Sequence, residues 1–224
     1  MRIGILGGTG PAGSALGARL ASVGYEVVIG SRTKDRAVEV VDAMKAKWPN
    51  FTLNLSGGDN DDASSCDLVV LATPWDSAAV TAQDHVDLLR GKIIISMANA
   101  LVRVGKEFQP LLPPRGSVAA HIQAAIPDCR VVAAFHHLPA TELGHLGYPI
   151  DSDVLICSDN AEATATVMDI TAHIPGCRPL DAGELSNATA IEAFTAVLLQ
   201  LNVRYKTRVA PKLTGITRDP RAKA

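Results

Sequence analysis

Ile3-Gly4-Ile5-Leu6-Gly7-Gly8-Thr9-Gly10-Pro11-Ala12-Gly13 decides the fold. An apolar run feeds a turn in which Gly8, Gly10 and Gly13 keep the G-x-G-x-x-G spacing, and small or apolar residues from Ala12 to Val23 then recur on a helical period. The order strand, glycine turn, helix is the dinucleotide-binding fingerprint. Its glycines permit a tight turn, close backbone approach to a pyrophosphate, and close packing of helix on strand. Gly24 stops the helix, and Tyr25 to Gly30 reads as a second strand. A helix between two such strands makes a right-handed crossover, so a parallel sheet is expected.

The end of the second strand selects the dinucleotide. An NAD site carries an acidic residue about 20 residues beyond the glycines, where it accepts hydrogen bonds from the ribose. Here the residues are Gly30-Ser31-Arg32. A carboxylate would repel a 2′-phosphate, whereas Ser31 donates a hydrogen bond and Arg32 forks onto the phosphate, so NADP is predicted. Thr9 adds a hydroxyl from the turn, and Arg36 is a second cationic candidate. In the competing reading Arg32, Lys34 and Arg36 only solvate the start of the helix that runs to Lys47.

Further on, Phe51–Leu55 suits a short strand and Gly57–Asp62 a solvated loop leading into a helix. That acidic stretch lacks the spacing and terminal Glu of a calcium loop, so no metal is assigned. Cys66–Ala72 and Lys92–Met97 are buried strands by their unbroken apolar character. Thr73, Pro74 and Trp75 follow the first, and Met97, Ala98, Asn99 and Leu101 follow the second. In doubly wound sheets ligands lie at such carboxyl ends, so both turns are expected to wall the cofactor cleft, with Trp75 open to a second reading as a surface cover for the helix that follows. A helix is expected from about Asp76 to Leu89, then a proline-rich passage, then a helix over Ser117–Ile126. The strand Arg130–Phe135 ends in His136-His137-Leu138-Pro139-Ala140. Neighbouring strand residues point to opposite faces, so at most one of the two histidines is expected to face the cleft.

Past Pro139 the pattern restarts: a strand at Val154–Cys157, a helix over Asn160–His173, an edge strand at Cys177–Asp181, and a long helix from Leu185 to about Lys206. The expected architecture is α/β, a Rossmann-type doubly wound, mainly parallel sheet over residues 1–139, with a smaller C-terminal α/β domain over 140–216 that closes the cleft. The apolar face of the last helix predicts a homodimer, and residues 217–224 a frayed tail.

Composition narrows the partners. With 21 Lys and Arg against 23 Asp and Glu in 224 residues, the formal charge of -2 gives no general attraction to nucleic acid. No apolar run approaches the roughly 18 residues that span a bilayer, and no leader is visible, so a soluble cytoplasmic protein is expected. The four cysteines are scattered without a C-x-x-C pair and read as small buried hydrophobes.

Taken together, the fingerprint, Gly30-Ser31-Arg32, Ala72-Thr73-Pro74-Trp75, Ala134-Phe135-His136-His137-Leu138-Pro139-Ala140 and Arg178-Pro179-Leu180-Asp181-Ala182-Gly183-Glu184-Leu185-Ser186-Asn187 resemble the NADPH-dependent coenzyme F420 reductases, or F420:NADP oxidoreductases, to about Ile216. The resemblance implies hydride exchange between NADPH and a 5-deazaflavin stacked over its nicotinamide. It implies that Thr9, Ser31 and Arg32 hold the 2′-phosphate, and that Pro11 and Ala12 lie by the pyrophosphate. Met97 to Leu101 would frame the two rings together with His136 and Leu138. Asn99-Ala100-Leu101 departs from the Asn-Pro-Leu of many relatives. His136 is the catalytic candidate, through a hydrogen bond or a positive charge near the deazaflavin; the competing reading is a histidine bonded to a neighbouring loop. Transfer between two cofactors needs aligned rings and excluded water more than a protein nucleophile. Two other functions compete: an NADPH-dependent reductase of a small imine or carbonyl, and a non-catalytic NADP sensor.

Overall fold

A computed structural model describes residues 1–217; apart from Thr217, the tail expected over 217–224 lies outside the described residues. The chain opens with β1 (Arg2–Leu6), α1 (Pro11–Ser22), β2 (Glu26–Ser31), α2 (Lys34–Lys47), β3 (Leu55–Asp59) and α3 (Asn60–Ser64). It continues with β4 (Leu68–Leu71), α4 (Trp75–Asp84), α5 (Val86–Leu89) and β5 (Ile93–Ser96). A hairpin of β6 (Leu101–Val104) and β7 (Glu107–Pro110) precedes α6 (Val118–Ala125) and β8 (Arg130–Ala133). The remainder is α7 (Ala140–Leu143), β9 (Ser152–Ile156), α8 (Ala161–Ala172), β10 (Cys177–Asp181) and α9 (Ala188–Tyr205).

Six strands form one parallel sheet in the order β3-β2-β1-β4-β5-β8. This is the Rossmann order, in which the direction of winding reverses between β1 and β4. Strands β1, β2, β4, β5 and β8 are buried and mostly apolar on both faces because helices cover both. Gly4 in β1 is required by that cover: a Cβ there would lie 1.9 Å from the Ala63 carbonyl oxygen of α3.

The C-terminal unit β9-α8-β10 is a small parallel pair of its own, hooked to the end of β8 by reciprocal hydrogen bonds between Ala133 and Cys157. Its residues share the sheet's apolar clusters. Val154, Val167 and Ile170 pack in the cluster that holds Ile3, Leu16 and Val27, while Leu185 and Ile191 join Leu71, Ile94 and Ile122. Buried Glu192 of α9 accepts hydrogen bonds from the Val118 and Ala119 amides at 2.8 and 3.0 Å, and Ser117 accepts one from Ala120. Together they satisfy the first turn of α6.

Several elements differ from the sequence reading. The third strand is Leu55–Asp59, not Phe51–Leu55, so Gly57 and Gly58 belong to a strand rather than a loop. Helices press on it from both sides: a Cβ on Gly57 would meet the Val38 amide at 2.5 Å, and one on Gly58 the Asp62 Cβ at 2.6 Å. The helix expected over Asp76–Leu89 breaks at His85. The proline-rich passage contains the β6–β7 hairpin, turned at Gly105 with φ +61°. Strand β8 stops at Ala133, because Phe135 adopts φ +65°.

All four cysteines are free and buried, as expected. Burial pushes the Cys157 and Cys177 thiols up to about 12 and 11, which leaves them protonated and inert.

Candidate active site

The carboxyl ends of β1, β2, β4 and β5 open into a cleft of about 1090 Å³ at the point where the winding reverses. Thirteen residues singled out in the sequence line it. Thr9, Gly10, Pro11 and Ala12 come from the first turn, Ser31, Arg32 and Arg36 from the end of β2 and the start of α2, Thr73, Pro74 and Trp75 from the turn after β4, and Met97, Ala98 and Asn99 from the turn after β5. Gly8 and Gly13 do not line the cleft. They allow the turn to close, since a Cβ on Gly8 would sit 2.8 Å from the Ile5 carbonyl oxygen and one on Gly13 would sit 2.9 Å from that of Gly7. Gly7 holds φ +71° against the Thr73 backbone.

Helix α1 begins at Gly10 with Pro11 in its first turn and no side-chain cap. The positive end of its dipole, with no side-chain oxygen capping it, therefore lies at the turn whose Thr9, Gly10, Pro11 and Ala12 line the cleft, the arrangement that suits a pyrophosphate. Ser31 is buried, whereas Arg32 is exposed and makes no ion pair among the described residues. Arg36 differs: it pairs with Glu39 at 3.1 Å along α2. Sequence reasoning missed Asn60, Ser77 and Thr81, polar residues that also line the cleft. Asn60 Oδ1 and Thr73 Oγ1 are buried polar atoms without a partner among the described residues.

A second cavity of about 270 Å³ adjoins the first and shares Asn99 with it. Leu101, His136 and Leu138 line it as the sequence suggested, together with His137, Thr195, Leu198, Asn202 and Val209, none of which was anticipated there. Asn99 is clamped between the two spaces. Its Nδ2 donates to the His136 carbonyl at 3.0 Å, and Thr195 Oγ1 donates to its Oδ1 at 3.2 Å. Buried Ala100, which stands in place of proline, accepts a 2.7 Å hydrogen bond from the Leu111 amide, so this wall is braced by hydrogen bonds.

Both histidines line the second cavity, contrary to the alternation expected of a strand, because the strand has already ended. Their rings lie nearly parallel with centroids 6.5 Å apart. His137 is anchored, with Nε2 3.0 Å from the Asp153 carbonyl oxygen. His136 is 5 % exposed, and neither of its ring nitrogens has a partner among the described residues. It is therefore not tied to a neighbouring loop. Burial, and then the proximity of His137, pushes its pKa down to about 3, and burial pushes His137 down to about 4. The imidazole of His136 is accordingly neutral near pH 7; a hydrogen bond is available from it, and the positive charge considered for it is not.

This has a consequence for stability. Both histidines are neutral in the folded chain down to pH 4 or below, but titrate near 6.5 when unfolded, so the unfolded state binds more protons across that interval. Stability falls as pH drops from about 6.5 toward 4, by about 1.4 kcal/mol per pH unit for each histidine. Denaturant titrations at stepped pH should show that slope, and His136→Gln should roughly halve the part due to the pair. An unchanged slope would mean that His136 is charged in the fold.

Among the described residues no group of three or more His, Cys, Asp or Glu side chains is placed to hold a metal ion, and no helix is long and apolar enough to cross a membrane.

The family described as NADP oxidoreductase coenzyme F420-dependent matches residues 2–100. An F420-dependent NADP reductase of Methanocaldococcus jannaschii is 36% identical, with 93% of this chain and 95% of that protein covered. One from Methanothermobacter thermautotrophicus is 32% identical over 94% and 93%. The crystal structure of a putative F420-dependent NADP-reductase from Arthrobacter sp. FB24 superimposes with a TM-score of 0.77 at 24% identity, covering 94% of this chain and all of that one. With the likeness running through both the glycine turn and the C-terminal unit, this chain belongs to the F420-dependent NADP reductase family.

Proposed function

We propose that the protein transfers a hydride between NADP(H) and the 5-deazaflavin coenzyme F420, with the dinucleotide in the large cleft and the deazaflavin reaching over its nicotinamide from the adjoining cavity. The observation that carries this reading is the junction at Asn99. A cleft fitted for a phosphorylated dinucleotide opens there onto a separate cavity whose buried histidine has both ring nitrogens free.

The residues fit both molecules. The uncapped start of α1 suits a pyrophosphate, and Ser31, Arg32 and Thr9 suit a 2′-phosphate. Unpartnered Thr73 Oγ1 suits the nicotinamide side, and His136 suits a polar edge of the deazaflavin. When bound, the reduced nicotinamide supplies the hydride that the deazaflavin accepts. The chain's contribution is alignment and exclusion of water. Met97 and Ala98 give the cleft a buried apolar floor. Asn99, held at both ends, fixes the spacing between the two rings, and neutral His136 orients the second ring by a hydrogen bond. In this account residues 1–139 form the NADP-binding domain, and residues 140–216 close the site through α9.

A homodimer in the cytoplasm completes the reading. Exposed Phe194, Val197 and Val203 on α9, beside Val102 and Val104 of the hairpin, support self-association, and four free cysteines support a reducing compartment. Sedimentation or sizing would test the dimer.

The test of function is to mix the purified protein with NADPH and F420 and follow loss of deazaflavin absorbance. Reduction is expected, and His136→Ala should slow it by about 10-fold, the low end for one positioned group, while NADPH affinity stays unchanged. NADPH binding without F420 reduction would favour a reductase of another small substrate, or a sensor.

A further inference from the structure

The chain carries a net negative charge, yet from residue 193 to residue 217 it has no Asp or Glu and four basic residues, Arg204, Lys206, Arg208 and Lys212. Two of these are spoken for within the fold: Arg204 pairs with Glu107 and Lys212 with Asp151. Lys206 and Arg208 are exposed and make no ion pair among the described residues. The fold brings these two cations to one place. They lie on the turn between Asn202 and Val209, both of which line the second cavity. Lys206 ends α9 in the left-handed conformation at φ +52°. The turn is then closed on Asn202, whose carbonyl accepts from the Thr207 amide at 3.3 Å and whose Oδ1 accepts from the Val209 amide at 2.7 Å. Two exposed cations are thereby held on a turn whose ends, Asn202 and Val209, line the cavity; within that turn Arg208 Nη1 donates to the Thr207 carbonyl at 3.3 Å.

From this we infer that Lys206 and Arg208 form a binding site for an anionic side chain of the molecule that occupies the second cavity. The inference rests on the functional reading above and names the part of the coenzyme involved: the phosphodiester and carboxylate tail that extends from the deazaflavin's ribityl chain. Asn99, Asn202 and Val209 all line the cavity, so a ring seated there would carry its tail toward the turn that bears the two cations. Arg208 offers a fork to a phosphodiester, and Lys206 a mobile point charge to the carboxylates beyond it. Because both side chains are exposed, the attraction is screened by salt and acts mainly on affinity.

The experiment compares two probes, F420 with its full oligoglutamate tail and the riboflavin-level 5-deazaflavin that lacks the phosphate and glutamates. Binding is followed by deazaflavin fluorescence and turnover with NADPH is measured in parallel, at low and high ionic strength. In the Lys206→Ala/Arg208→Ala double variant the ratio of Kd values, full coenzyme over tail-less deazaflavin, should rise by about 10-fold at low salt and by less at high salt. Lys206→Arg/Arg208→Lys, which keeps both charges, should restore most of the wild-type ratio. Equal losses for both probes, or no change for either, would overturn the tail site. A wild-type protein that binds the full coenzyme more tightly than the tail-less probe but reduces neither would overturn the proposed reaction while leaving the tail site standing. One that binds neither would overturn both.

Discussion

Arg32→Glu should weaken NADPH binding by on the order of 100- to 1,000-fold while changing NADH affinity by no more than about threefold. The asymmetry follows from where the residue stands. Ser31 is the last residue of β2, and its buried side chain leaves Arg32 to project at the rim of the cleft with no carboxylate to neutralise it. A forked guanidinium–phosphate contact contributes about 1.5–3 kcal/mol. Replacing it with a carboxylate removes that contact and adds repulsion against a doubly charged phosphate, and the sum corresponds to two to three orders of magnitude in Kd. NADH, which has a hydroxyl at that position, loses neither. Nicotinamide fluorescence titrations with both dinucleotides measure the difference, and equal losses would show that Arg32 does not read the 2′-phosphate. Arg36, already engaged by Glu39, should matter much less.

Asp153→Ala should lower the stability of the fold by about 3 kcal/mol, seen as a fall in Tm of roughly 6–12 °C. The Asp153 carboxylate is fully buried in β9 and takes a forked contact from Arg178 at 2.7 and 2.6 Å, together with the Leu213 amide. Its own amide donates to the Pro211 carbonyl at 2.8 Å, and Arg178 donates further to the carbonyls of Leu213 and Ile216. One carboxylate thus fastens the segment after α9 onto β9 and β10. Burial alone would push its pKa up, but Arg178 and the Leu213 amide outweigh burial and hold it below the usual carboxylate value. A carboxylate whose folded pKa is depressed stabilises the fold above its unfolded pKa, and that contribution is lost as pH falls through the folded value. Removing the carboxylate leaves the Arg178 guanidinium and the Leu213 amide without it. Since Arg178 is itself partly exposed and regains water, the low end of the range for a broken buried pair applies. Thermal unfolding followed by circular dichroism is the measurement, and a Tm within about 2 °C of wild type would contradict the role.

The nucleotide half of the site was legible because its signals are local. The turn from Gly7 to Gly13 and the strand end at Ser31 and Arg32 each put backbone need and ligand chemistry within a few consecutive residues, and both line the cleft. The strand at Gly57 and Gly58 was hidden because close helix packing, not apolar alternation, selects its residues. The second cavity was half legible. His136 and Leu138 stand at a strand end, but Thr195, Asn202 and Val209 reach it from α9 and the segment after it, and no spacing in the chain announces that approach. Strand periodicity failed at His136 and His137 for a definable reason, the positive φ of Phe135. The Asp153–Arg178 pair joins residues that are adjacent only through the register of β9 with β10, and sequence order does not reveal it.

Under the proposed function a nicotinamide and a deazaflavin meet face to face in one site, and a hydride passes directly between them. The most direct test is single-turnover reduction of F420 with NADPH deuterated at the transferable position, followed by mass analysis of the reduced deazaflavin. The deuterium is expected in the reduced coenzyme without dilution by solvent hydrogen. Failure to reduce F420, or a product carrying hydrogen from water in place of the label, would contradict it.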